Sequence, residues 1–300
     1  MSGQWTTLKL LDWTKQYFAT KGVENPRLDA EVLLCDVLHC SRINLYVNFE
    51  QPLEEAELAQ YRSYVQRRGQ LEPLAYILGH REFMAYDFKV TEATLIPRPE
   101  TELLVEQIVK LNQAKGAVRL LDIGCGSGAI ILSLLKMLPQ ASGVASDISS
   151  EALAVTRENA ATLGVTERVE LVQSDVFAAV PLVEPFDVIV SNPPYIPTAD
   201  IATLAADVQK EPHGALDGGR LGLDIYTKIL AGIKPYLQED GMLALEIGIN
   251  QAETVVQLCR EADLTVVKVR QDYAGIARMV FATKEGSKYA NEIMALKEEQ

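Results

Sequence analysis

The sequence predicts an α/β chain: a mostly parallel seven-stranded sheet with an antiparallel edge hairpin, preceded by a small all-helical domain and a β-hairpin linker. Three observations predict it. Apolar residues recur at helical spacing through the first eighty positions, an aromatic stretch too short for a helix follows, and from residue 100 strand-like and helix-like segments alternate. At 300 residues, about two domains are expected, since single cores stop growing near roughly 250 to 300 residues.

In the first domain, residues 1–82, Leu8, Leu11, Tyr17 and Phe18 mark one amphipathic helix. Pro26 sits where a second can begin, with Val32, Leu33, Val37 and Leu38 as its stripe, and Leu53, Leu58, Tyr61 and Val65 mark a third before Gly69. Phe83, Tyr86, Phe88 and Val90 give the linker, 83–97, a two-stranded reading that ends at Pro97 and Pro99. The larger domain, 98–284, opens with a helix over 100–111, then a strand over 118–123 that runs into glycines and a helix to Met137. Further strands are expected at 141–146, 169–173, 186–191, 242–247, 264–269 and 277–281, with helices over 150–163, 223–237 and 250–262. Such alternation implies a parallel sheet covered on both faces, with ligands at the carboxyl ends of the strands. No helix separates the last two strands, so they read as an antiparallel hairpin, and the polar tail, 285–300, is expected to fray.

Hydrophobic residues make up 48% and charged residues 23%, which is enough apolar side chain for a large core and excludes a disordered or low-complexity chain. The longest apolar runs, such as Ala129 to Leu135, are far short of the ~18 residues that span a bilayer, so no membrane contact is expected. The first ten residues lack the basic, apolar and small-residue order of a secretory signal, which points to the cytoplasm. Cys35, Cys40, Cys125 and Cys259 form no CxxC pair and have no His at ligand spacing, so they read as reduced thiols with no metal site. Net charge is −13, and it is uneven: residues 1–81 carry 9 basic against 10 acidic side chains, whereas 82–300 carry 19 against 31. Phosphate backbones are held by Lys and Arg, so so acidic a second domain weighs against direct nucleic-acid binding.

The segment Leu120 to Ala129 is a strand delivering the chain into the loop Gly124-Cys125-Gly126-Ser127-Gly128, which opens a helix. Glycines let such a backbone turn sharply and approach a ligand, and Asp147, at the end of the next strand, is placed to accept hydrogen bonds from ribose hydroxyls. Gly124, Gly126 and Ala129 also satisfy a Rossmann dinucleotide pattern, so NAD stays open on the motif alone. Asp122 favours a different cofactor: a carboxylate two residues before the first glycine repels a pyrophosphate and favours the ammonium and sulfonium of S-adenosylmethionine. Asp175, after the third strand, is placed to accept from an adenine amino group.

The fourth strand ends in Asn192-Pro193-Pro194-Tyr195. Prolines lack amide hydrogens and fix φ, so this tip presents carbonyl acceptors in one geometry beside the Asn192 side chain. A planar NH₂ group fits it: the Asn192 side-chain oxygen and the Pro193 carbonyl each take one hydrogen, and the Tyr195 ring offers a stacking face. An amide nitrogen is a weak nucleophile, and orientation rather than a strong base is what it needs, so His39, His80 and His213 are not required.

With both motifs in hand, the chain resembles the release factor glutamine methyltransferases, the HemK/PrmC family. The resemblance spans nearly the whole chain and includes Pro73 to Gly79, Arg81-Glu82-Phe83, Leu95-Ile96-Pro97-Arg98-Pro99-Glu100-Thr101-Glu102, the glycine loop, Asn192 to Tyr195, Glu211-Pro212 with Ala215-Leu216, and Leu245-Glu246-Ile247-Gly248. It implies a class I S-adenosylmethionine-dependent methyltransferase fold and methylation of the N5 amide of the glutamine in the Gly-Gly-Gln loop of peptide chain release factors, in translation termination. It also implies that Gly124 to Gly128, Asp147 and Asn192 contact the cofactor, that Asn192 to Tyr195 hold the substrate glutamine, and that Arg98 and Glu100 line the mouth of the cleft. An aromatic commonly follows the third-strand Asp in this family and packs on the adenine; here Val176 stands there, with Phe177 next. The helical domain would grip the release factor, with Arg62, Arg67, Arg68 and Arg81 as candidate contacts or simply as solvated charges. A monomer is expected. Two other readings stay open: an N6-adenine methyltransferase acting on nucleic acid, because the same tip serves any planar NH₂, and a cofactor-binding scaffold without turnover.

Overall fold

The computed structural model describes residues 5–297 and divides them into two compact units. The first runs to His80 and also takes Ala205–Lys210; the second comprises Arg81–Leu204 and the chain from Glu211 onward.

In the first unit, helices α1 (Thr7–Thr20), α2 (Pro26–Val37), α3 (Arg42–Val47), α4 (Glu55–Gly69) and α5 (Leu74–Leu78) bury Phe18, Leu33, Leu34, Tyr61 and Val65. Pro26 holds the first helical position of α2, where its missing amide hydrogen costs nothing. The buried face of α1 is Leu10, Thr14 and Phe18, and Leu8 is exposed, so the expected stripe lies one residue off on that turn. Arg68, named as a candidate contact or a solvated charge, is neither exposed nor solvated: its guanidinium is buried, meets Asp29 at 2.7 Å and Asp207 at 3.3 Å and donates to the Glu72 carbonyl. A buried guanidinium persists only when paired, and Asp207 belongs to the Ala205–Lys210 segment of this unit. Arg67 is engaged by Glu72 and by the Tyr76 carbonyl, whereas Arg62 and Arg81 are exposed.

Strands β1 (His80–Phe83) and β2 (Tyr86–Lys89) form a hairpin that begins three residues before the expected linker, and Phe83 and Phe88 meet edge to face in the core of the second unit. There follow α6 (Pro99–Asn112), β3 (Arg119–Ile123), α7 (Ala129–Met137), β4 (Ser142–Asp147), α8 (Ser150–Thr162), β5 (Val169–Gln173) and β6 (Phe186–Ser191). Next come α9 (His213–Leu216), α10 (Asp224–Gly232), β7 (Leu237–Glu246), α11 (Ala252–Glu261), β8 (Val266–Gln271), β9 (Ala277–Thr283) and α12 (Ala290–Met294). The seven strands run in the order β5-β4-β3-β6-β7-β9-β8, parallel except where β9 pairs antiparallel with β7 and β8. Alternate residues of one strand enter opposite cores: Leu120, Val188, Val190 and Met242 on one face, Leu121, Ile189, Leu243 and Leu245 on the other. Both faces are therefore covered, as a parallel sheet requires.

The chain builds outward from β3 to β5, then returns to lay β6 on the other side of β3, with Leu120, Leu121 and Asp122 opposite Val188, Ile189 and Val190. Parallel pairing in that register brings the loops after β3 and after β6 out at one end of the sheet, side by side. That reversal of strand order is where open α/β sheets bind ligands. The C-terminal tail does not fray over the described residues: Tyr289 and Ile293 are fully buried, Leu296 is nearly so, and the Tyr289 hydroxyl donates to Asn112 at 2.6 Å. The last three residues of that tail lie outside the described ones.

Candidate active site

A cavity of about 610 Å³ opens at the carboxyl ends of β3, β4, β5 and β6, within the usual range for small-molecule sites. The loop after β3 forms its floor. Gly124 and Gly126 adopt φ of +73° and +56°, the left-handed region that favours glycine, and a Cβ built on either meets nothing within 4 Å. The loop thus leaves open a space that any side chain would partly fill. It is tied down from behind. The amides of Gly124 and Cys125 donate to the Ser146 carbonyl, Thr156 Oγ1 donates to the Gly126 carbonyl and Asn159 Nδ2 to that of Ser127. Cys125 and Ser127 line the cavity, and burial raises the Cys125 thiol, which keeps it a neutral wall. Gly128 does not line it. At φ +81° it starts α7, and a side chain there would strike Leu132 and Thr156.

Asp147 lines the cavity with its carboxylate fixed by two backbone donors, Gly126 N to Oδ2 and Ser149 N to Oδ1, both at 2.9 Å. Each oxygen keeps a further acceptor site. Asp122 lies fully buried outside the cavity wall, where Oδ2 accepts from Ile131 N at 3.3 Å and Oδ1 has no partner. Burial, reinforced by the charge on Asp147 and opposed by the Ile131 bond, pushes its carboxyl up to about 7. Asp122, expected at the cofactor, therefore does not line the cavity. Asp175 and Val176 line the far end. Lys228 Nζ donates to both Asp175 oxygens, at 3.1 and 3.0 Å. Val176 holds φ of +53°, unusual for a β-branched residue and a strain that such sites tolerate, while Phe177 turns away to stack on Tyr236 with ring centres 4.3 Å apart.

The tip after β6 contributes Asn192, Pro193 and Pro194 to the cavity lining. Ser191 Oγ donates to the Ile123 carbonyl at 2.6 Å, which locks this tip to the end of β3. Asn192 Nδ2 donates to Thr101 Oγ1 at 3.2 Å, so its Oδ1 is left as the acceptor. Tyr195 departs from expectation. It does not line the cavity; its ring packs beside Gly248, and its hydroxyl donates to Glu246 Oε1 at 3.4 Å. A buried phenol needs a partner, and Glu246 supplies one away from the cavity, so no stacking face is presented there.

Arg98 lines the opposite side, held by Glu211 at 2.6 Å and by its own donation to the Ile96 carbonyl, while Glu211 also accepts from Ile96 N. That clasp fixes the wall formed by the linker and the segment after Glu211. Glu100 does not join it; it is exposed on the first turn of α6, where an acid suits the helix dipole. Sequence reasoning assigned no role to Thr101, Glu211 or Glu246. The available signal was a lone Glu closing the buried apolar strand Leu243-Ala244-Leu245-Glu246. No histidine lines the cavity.

The residues fit S-adenosylmethionine. An open glycine cradle, a preset carboxylate at Asp147 and an unpartnered buried carboxylate oxygen at Asp122 suit a cationic nucleoside. Residues 9–79 match the PrmC N-terminal domain family and residues 99–223 the methyltransferase small domain family. The chain is 47% identical over 278 residues to a release factor glutamine methyltransferase of Geobacter sulfurreducens, covering 92% of this chain and 96% of that one. It is 44% identical over 265 residues to its namesake in Moorella thermoacetica, covering 88% and 93%. A methyltransferase of Pyrococcus furiosus shares the fold, with a TM-score of 0.51 at 18% identity over 67% of this chain and 90% of that one. Near-full-length similarity to proteins of one name, together with the match to the methyltransferase small domain family, establishes that this chain belongs to the release factor glutamine methyltransferase family.

Proposed function

We propose that this enzyme methylates the N5 side-chain amide of the glutamine in the Gly-Gly-Gln motif of peptide chain release factors. The observation that supports the reading is that Asn192, Pro193 and Pro194 line the same cavity as Gly124 and Gly126. Asn192 Oδ1 and the Pro193 carbonyl accept the two amide hydrogens, which turns the nitrogen lone pair toward the glycine loop. When bound, S-adenosylmethionine would supply a methyl carbon made electrophilic by its sulfonium. The Asp147 carboxylate would take ribose hydroxyls, Asp175 the adenine amino group, and Val176 would pack on the base. Fixed geometry compensates for a weak nucleophile, with effective molarities reaching ~10⁵ M or more. The methylated nitrogen is acidic and gives its proton to water, so the site needs no strong base.

The helical unit is the release-factor-binding part in this reading, and the enzyme acts as a monomer in the cytoplasm. Labelled S-adenosylmethionine offered with an intact release factor, its Gln-to-Ala variant or duplex DNA tests it. Label on the intact factor alone is expected; label on duplex DNA would establish adenine methylation instead.

Asp122 adds a pH dependence. Its carboxyl is neutral below about 7 and charged above, and the charged form favours a cation over the loop. Cofactor affinity is therefore expected to fall as pH falls through that value. Asp122→Asn should weaken binding about tenfold at high pH and flatten the profile, as read by calorimetric titration.

A further inference from the structure

A chain of hydrogen bonds runs from Asn192 and Thr101, which both line the cavity, into the core. Asn192 Nδ2 donates to Thr101 Oγ1 at 3.2 Å, Thr101 Oγ1 donates to Glu246 Oε2 at 2.5 Å, and the Tyr195 hydroxyl donates to Glu246 Oε1 at 3.4 Å. Thr101 lies on the first turn of α6 and Glu246 at the end of β7, and both are buried, at 4% and 2% exposure. None of this is required to close the fold. A Val at 101 and an apolar residue at 246 would fill the same space without placing a carboxylate in the core.

What the chain adds is polarity. A threonine hydroxyl has one hydrogen, and a carboxylate can only accept. Ionised Glu246 therefore claims the Thr101 hydrogen and leaves Thr101 Oγ1 with lone pairs only. Asn192 must then turn its NH₂ toward Thr101, which sends Oδ1 into the cavity. We propose that Thr101 and Glu246 are positioning residues that set the Asn192 side-chain amide with its acceptor facing the substrate's NH₂ group. This rests on the glutamine-amide reading above.

Protonation of Glu246 removes the constraint. A protonated acid can donate to Thr101, whose hydrogen then passes to Asn192 Oδ1 and turns an NH₂ group on the substrate's own. The groups facing Glu246 come from four elements: Thr101 and Glu100 on α6, Tyr195 after β6, Tyr226 on α10 and Arg278 on β9. Burial raises the carboxyl to about 7, and the Thr101 bond, the charge of Arg278 and the Tyr195 bond oppose the rise. The active form is the charged one, so kcat at saturating cofactor should rise with pH through about 7.

Two readouts test the network, one of them without any substrate. In the free enzyme, the Asn192 side-chain amide NMR signals, assigned by their loss in Asn192→Ala, should titrate with a midpoint near that of Glu246 and lose the titration in Thr101→Val. In turnover on the release-factor glutamine peptide, Thr101→Val should lower kcat about 10²-fold with cofactor affinity retained and the pH limb gone. Thr101→Ser should restore both, and Thr101→Val should add nothing in an Asn192→Ala background. Wild-type pH behaviour of the Asn192 amide in Thr101→Val, or full kcat in that variant, would overturn the proposal. Should the wild-type enzyme leave glutamine unmodified, the function proposed above fails, and the amide titration still decides the network.

Discussion

Asn192→Ala is expected to lower kcat by about 10² to 10³-fold while cofactor affinity changes far less. The substitution removes one of two acceptors for the substrate amide and leaves the glycine loop, Asp147 and Asp175 in place. It also leaves Thr101 Oγ1 without its donor at 3.2 Å, a smaller cost because that hydroxyl still bonds to Glu246. The remaining Pro193 carbonyl holds one amide hydrogen but does not fix the plane, so the lone pair is no longer aimed. Single-turnover rates beside equilibrium cofactor titration separate the two effects. An equal loss in rate and in cofactor affinity would contradict the role given to Asn192.

The opposite pattern is expected from Gly126→Val. This residue sits at φ +56° with open space where a Cβ would stand, and its amide donates to Asp147 Oδ2 at 2.9 Å. A β-branched residue pays roughly 1 to 2 kcal/mol for that conformation and places two methyl groups in the cavity. Cofactor affinity should fall about 10²-fold or more, while thermal stability falls by only a few degrees, since no core contact is lost. Gly126→Ala should lie between. Retention of wild-type affinity by the valine variant would show that the cofactor does not approach this turn.

Much of this was legible because buried parallel strands announce themselves. Val169–Gln173 and Phe186–Ser191 match the predicted strands residue for residue, and the glycine loop and the Asn-Pro-Pro tip follow strands whose pairing brings them to one edge. The parts that were not legible depend on contacts between distant residues. The first half of β7 carries Gln238, Glu239 and Asp240 and meets β6 across a register shift, so its polar pattern hid the strand. The tail hid Tyr289, Ile293 and Leu296, which all enter the core of the second unit, among charges. Arg68 reads locally as a helix surface charge, and its burial depends on Asp29 and Asp207, 39 and 139 positions away. Tyr195 was misdirected for the same reason. The sequence placed it beside the amide-binding tip, but its ring follows Glu246, 51 positions later.

In the proposed reaction, acceptors beyond β6 hold a flat amide nitrogen against the methyl donor. Fragmentation mass spectrometry of the Gly-Gly-Gln peptide, after incubation of a release factor with enzyme and S-adenosylmethionine, tests it most directly. One added methyl is expected, on the side-chain nitrogen of that glutamine, and strongly diminished at equal incubation time in Asn192→Ala. A methyl on any other atom, or undiminished methylation by the alanine variant, would contradict it.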